Sequence, residues 1–168
     1  MSKIVHDFNW SATPLGPQDS WPVTLGSALS ICLNTPIVSA VLWGPELITI
    51  YNDAYVLALA DRHPWALGKP HSQIWADVWD VLGPQVELVI ETGNGFSTHH
   101  QLLKMHRHGR IEDTYWLYSF APLLGDDRTV SGIFVTALET TDRVRLEHQG
   151  AADMERLRQM FDQAPGFM

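Results

Sequence analysis

SFAPLLGDDRTVSGIFVTALETTDR, residues 119–143, decides the fold. It holds a β-rich run ending at Pro122, an acidic-glycine turn at Gly125-Asp126-Asp127, and a second run, Thr129 to Glu139, rich in Val, Ile, Phe and Thr. Strand, tight turn, strand is the signature of an antiparallel hairpin. Upstream, Thr114 to Leu123 is strongly aromatic. Strand alternation puts Trp116, Tyr118 and Phe120 on one face and Tyr115, Leu117 and Ser119 on the other. Downstream, from Asp142 to about Phe161, the chain turns highly charged, with Val144, Ala151, Met154, Leu157 and Phe161 at helical spacings. That predicts an exposed helix whose thin apolar stripe needs a partner.

Working outward, Phe96 to His106 reads as a long strand and His108-Gly109 as a turn. Near the start, Ile37–Trp43 and Leu47–Tyr51 are two strands joined by Gly44-Pro45. Between the strand groups lie helices: Ala54 to Ala60 behind an Asn52-Asp53 cap, a brief piece after Ser72, and Gln85 to Thr92, opened by Gly83-Pro84 and closed by Gly93. His63 to Pro70 is a proline-rich loop. A further helix, Val23 to Asn34, follows an arm at 8–22 that Pro14, Pro17 and Pro22 keep from being helical and that Trp10, Leu15 and Trp21 anchor. The fold class is α+β: a five-stranded antiparallel sheet with short helices on one face, an N-terminal arm and helix, and a C-terminal exit helix.

Composition narrows the function. The chain has 168 residues, 45% hydrophobic and 18% charged, which suits one globular domain with extensions. Eleven basic against nineteen acidic residues give a net charge of −8, so phosphate backbones are repelled and nucleic acid is not an expected partner. The one cysteine, Cys32, excludes an internal disulfide and suits a reducing compartment. With no long apolar stretch, the expected location is cytoplasmic, which leaves membrane association of a parent protein open.

Three stretches carry a family resemblance. WGPELITIYNDAY (43–55) has a strand ending in Asn before a short helix. The deciding stretch closes with Glu139, Thr141, Asp142 and Arg143, an acidic-x-Thr-acidic-Arg signature. HPWALGKP (63–70), IWADVWDVLGPQVELVIETG (74–93) and EDTYW (112–116), with the arm WSATPLGPQDSWP (10–22), complete the set. Together these resemble the PAS domain, in the subgroup at the front of bacterial sensor and hybrid histidine kinases. The resemblance implies an arm and helix at 1–35, a PAS domain at 36–143, and at 144–168 an exit helix running into a segment, RLRQMFDQAPGFM, similar to the opening of a further PAS domain. It implies a sensory module of a two-component phosphorelay protein, homodimeric, passing a signal through Glu139, Thr141, Asp142 and Arg143 to downstream PAS or kinase domains. It also implies a small apolar or aromatic ligand held by Trp43, Tyr51, Tyr55, Trp75, Trp79, Trp116, Tyr118 and Phe120, with Ile133 and Val135 beside them.

The plainer reading of those aromatics is a filled core in a ligand-free interaction and dimerisation domain. His100, His106 and His108 share a strand parity and could hold a metal ion, but with no cysteine near and a turn beside them they read, with His99, as exposed strand histidines. Haem-binding relatives use a histidine on the helical side, where only His63 and His71 stand, both in proline-rich loops. A metal or haem sensor is the lesser alternative. No catalytic residues are expected: Glu112 and Asp113 are adjacent on a strand and point apart, there is no phosphate loop, and His148 lacks a phosphoacceptor setting. Flavin-binding light sensors of this fold carry a reactive Cys after the second strand. Cys32 precedes the first strand, so flavin–cysteinyl photochemistry is excluded and no cofactor is implied.

Overall fold

The alternating runs become strands in the computed structural model, which describes residues 1–164. In chain order the elements are α1 (Ser2–Asp7), α2 (Val23–Asn34), β1 (Ser39–Trp43), β2 (Ile48–Tyr51), α3 (Asp53–Leu59), α4 (His71–Ile74), α5 (Trp79–Thr92), β3 (Phe96–Ser97), β4 (Gln101–Arg107), β5 (Arg110–Leu124), β6 (Val130–Glu139) and α6 (Thr141–Gln163). The sheet runs β2–β1–β6–β5, with β3 and β4 both pairing along the far edge of β5, and every pairing is antiparallel. The fold is α+β, as the hairpin at 119–143 requires.

Six strands stand where the sequence predicts five. The expected strand 96–106 is cut at His100, whose backbone is left-handed with φ of 50°. Its Nδ1 lies 2.9 Å from Thr140 Oγ1, so the break turns His100 from the ladder toward the root of α6. The expected start of α5 at Gly83-Pro84 also moves, to Trp79. Gly83 makes this workable, because a Cβ there would meet Trp79 Nε1 at 2.9 Å, and Gly93 closes the helix at φ 68°. α1, ahead of the arm at 8–22, is an addition. The opening of a further domain read at 156–168 extends past the described residues at its end.

Cross-strand register sorts the side chains into two faces. Tyr51, Ala40, Val135 and Phe120 stand in one row across four strands, and Ala137 pairs with Tyr118 beside them. This inner face is covered by the helices between β2 and β3. Leu42, Ile133 and Tyr51 there have no solvent exposure worth the name. The outer face carries Val41, Trp43 and Ile50, and over β1 and β2 it is covered by α2, whose Leu25, Ala28, Leu29 and Cys32 are buried. Over β5 and β6 the outer face is covered only in part, by the first turns of α6 among the described residues.

Candidate functional site

A cavity of about 40 Å³ lies between the inner face and the helices. Tyr55, Trp75, Trp116, Tyr118 and Phe120 line it, with Val135 from β6. The register explains the sheet side: 116, 118 and 120 alternate inward along β5. On the helical side, Asn52 caps α3 by accepting from Tyr55 N at 3.1 Å, which sets Tyr55 on the first turn facing the sheet.

Three residues expected at the pocket are not on its wall. Trp43 is on the outer face, because β1 pairs it with Gly132 and its indole fills the space a side chain there would take: a Cβ on Gly132 would meet Trp43 at 2.6 Å. Tyr51 shares the inner face but sits behind Tyr55, stacked at 5.6 Å, with its hydroxyl 2.8 Å from His63 Nδ1. Trp79 packs edge-on against His71, 6.0 Å between ring centres, and does not reach the space. Ile133 is buried in the same face but away from the cavity.

The polar groups of the wall are mostly spoken for. Trp75 Nε1 donates to Tyr55 Oη at 3.0 Å, and Trp116 Nε1 donates to Thr114 Oγ1 at 2.8 Å. Tyr118 Oη donates to Gln85 Oε1 on α5. Burial pushes Tyr51 and Tyr118 up to about 12, and Tyr55 further, so all three phenols are neutral. Behind Trp75, Arg62 lies 4.5 Å over its ring and bonds Asp77 at 2.7 Å, while Asp77 also accepts from the backbone of His106. This ties the α3 end of the helical layer to β4.

His71, weighed in the sequence only as a helical-side histidine for haem, stands on the cavity wall. Only 2% exposed, it opens α4, and burial pushes its imidazole down to about 3, so the ring is neutral. A signal was present: His71, Ile74, Trp75 and Val78 follow helical spacing, which brings His71 to the face of Trp75. Ala58, Leu82, Leu103, Met105 and Ala137 complete the wall and were not among the expected pocket residues.

The root of α6 is a second cluster. Glu139 accepts two bonds from Arg107, at 2.6 and 2.9 Å, and Glu112 takes a third at 2.7 Å. Arg107 in turn holds both carboxyls below their ordinary range, Glu112 at about 2. Thr141 Oγ1 accepts from Tyr115 N at 3.0 Å, and Thr140 N donates to Tyr115 O at 2.7 Å. Asp142 and Arg143 are exposed, and among the described residues Arg143 pairs with Glu147 on its own helix. His99, His106 and His108 are exposed and His100 half-buried. Among the described residues, no three metal-binding side chains converge, and no helix is long and apolar enough to cross a membrane. Cys32 is buried in α2, and burial pushes its thiol up to about 12.

No family model and no curated protein matches this sequence. Solved structures do. An RNA-binding light-oxygen-voltage receptor superposes with a TM-score of 0.57 at 17% identity, over 90% of this chain and 43% of its own. This chain thus spans less than half of that receptor. The light-oxygen-voltage protein of Rhodobacter sphaeroides gives 0.55 at 12% identity, over 80% of each chain. A PAS domain from Colwellia psychrerythraea gives 0.53 at 14%, over 70% of this chain and 98% of its own. With the antiparallel sheet, the helical layer on its inner face and the exit helix already described, these likenesses define the fold: it is the PAS fold.

Proposed function

We propose that this chain is a sensory module whose inner cavity is coupled to α6, and that it serves a two-component sensor histidine kinase. One observation carries the coupling. Trp116, on the cavity wall, is the direct cross-strand partner of Glu139, the last residue of β6. Its neighbour Tyr115 bonds both Thr140 and Thr141. A shift of the wall by a fraction of an ångström therefore acts on the first turn of α6 within one residue of chain. In such a module a stimulus works by favouring one of two arrangements of that junction. Glu139 and Thr141 hold the junction, and Asp142 and Arg143 carry its charge into α6. The kinase parent and the downstream PAS or kinase partners rest on the sequence resemblance.

The test is Trp116→Phe, read by amide hydrogen exchange. Exchange at residues 141–144 should rise while that of α2 stays as it was. Unchanged exchange at 141–144 removes the relay.

A second reading, a ligand-free interaction and dimerisation domain, is favoured by the cavity's size. About 40 Å³ holds a few water-sized molecules, well short of the roughly 150 Å³ that admits benzene. The aromatics expected to grip a flat ligand fill most of its place themselves. In this reading the exposed Leu117 and Leu138 on the outer face, and Leu146, Met154 and Phe161 on α6, are the contact between two copies. A monomer by sedimentation at every concentration, unchanged when the chain is cut after Arg143, would dispose of it.

A further inference from the structure

A single oxygen atom joins the helical layer to β4. Asp77 Oδ2, in the turn Ala76–Val78, accepts from Arg62 Nη2 and from the backbone N–H of His106, each at 2.7 Å. Both side chains are largely buried, Arg62 at 10% exposure and Asp77 at 12%. The Arg62 guanidinium also lies 4.5 Å over the ring of Trp75, a residue of the cavity wall. One step along β4 from His106, Arg107 grips Glu139 with both ends of its fork, and Glu139 leads into α6. This path from the cavity wall to α6 does not pass through Trp116. Its weak point is Arg62, whose Nη1 is buried and, among the described residues, has no hydrogen-bond partner. A buried donor left open is costly, so the guanidinium keeps its pose only because Asp77 and the Trp75 ring hold it there. If Trp75 moves, Nη1 gains by turning to water, and the oxygen that holds His106 loses its cation.

We propose that Arg62 is a positioning residue for a second coupling route, from the helical wall of the cavity to α6, with the Arg62–Asp77 pair as its two-state element. Paired, Arg62 keeps Asp77 against β4, and Arg107 keeps its hold on Glu139. Released, the His106 end of β4 loosens, and the root of α6 loosens with it. This deepens the sensor reading above and rests on it: the exit helix takes an input from the helical layer as well as from the sheet.

The experiment is amide hydrogen exchange on the whole 168-residue chain carrying Arg62→Met. Without its cation Asp77 turns to water, so the His106 amide should exchange about ten-fold faster. Residues 141–144 should exchange at least about two-fold faster, with α2 unchanged. Arg62→Lys, which keeps a cation beside Asp77, should recover most of the His106 protection. Combined with Arg107→Met, Arg62→Met should add nothing at 141–144 beyond the larger single effect, because both cut one path. Effects that multiply, unmoved amides at 141–144, or a rise that extends to α2 overturn the proposal, the last meaning that Arg62 only stabilises the fold. Should Arg62→Met fail to fold, Asp77→Asn cuts the same link without leaving a buried lone charge, and carries the same expectation at 141–144. Trp116→Phe, run in parallel, separates the two routes. If it moves 141–144 and the Arg62 or Asp77 variant does not, this route fails and the sheet relay stands. The reverse overturns the sheet relay and leaves this route standing.

Discussion

On the inner face of β5, Trp116, Tyr118 and Phe120 are at most 4% exposed, whereas one residue along, on the outer face, Leu117 is 37% exposed and its partner Leu138 58%. The two sets share one strand and one backbone. They differ in what lies above them: α3, α4 and α5 on one side, and on the other only the first turns of α6, where His148 meets the Tyr115 ring edge-on at 6.4 Å. Hydrophobic side chains thus form a buried wall on one face and an open surface on the other. Period-two alternation sorts the side chains, and the crossing helices decide which sort becomes interior.

The sharpest way to break this contrast is a pair of truncations. Trp116→Ala should cost about 3–5 kcal/mol in urea unfolding, since it empties a packed wall, while Leu117→Ala should stay within about 0.5 kcal/mol. Equal losses would mean the outer face is covered in solution, and sedimentation of the same samples would show by what.

Acid tests the inner face next. A histidine held near 3 in the fold but at its ordinary 6.5 when unfolded binds its proton only in the unfolded chain between those values. Stability is then full above pH 6.5 and falls as pH drops toward 3, by about 2 to 3 kcal/mol between pH 6 and 4. His71→Gln should flatten that window. The Glu112 and Glu139 carboxyls, held low by Arg107, also favour the fold above their unfolded values, but their loss comes only below about 4.5. A fall in stability that begins below 4.5 would place His71 in water.

The junction sharpens the contrast from the outer side. Arg107→Met removes three charge-assisted bonds and should cost about 1–2 kcal/mol, discounted because Glu139 is partly exposed. Exchange should quicken in the first turn of α6. A uniform loss across the domain, with no local change at 141–148, would make the cluster structural glue alone. A smaller loss, about 1 kcal/mol by thermal unfolding, is expected from Tyr118→Phe, as Gln85 on α5 loses its phenol donor.

Much of this was legible along the chain. The hairpin at 119–143, the cap at Asn52, the turn at His108-Gly109 and the inward set Trp116, Tyr118 and Phe120 follow from turn chemistry and alternation, which act between near neighbours. Five of the eight expected pocket residues reach the cavity for that reason. Trp43 does not, because its face depends on the pairing of β1 with β6 and on the absence of a side chain at Gly132, more than eighty residues away. The helical spacing of His71 with Trp75 was readable, but its burial and its bond to Thr49 on β2 depend on a strand that no local pattern links to it. The break at His100 comes from Thr140 in the same way. Sequence alone determined most of the elements, the inward set on β5 and the class of fold, since these are set by interactions within a few residues. Only the tertiary structure decided how much room the aromatics leave and which polar groups remain open, since volume and hydrogen-bond closure are sums over residues distant in the chain.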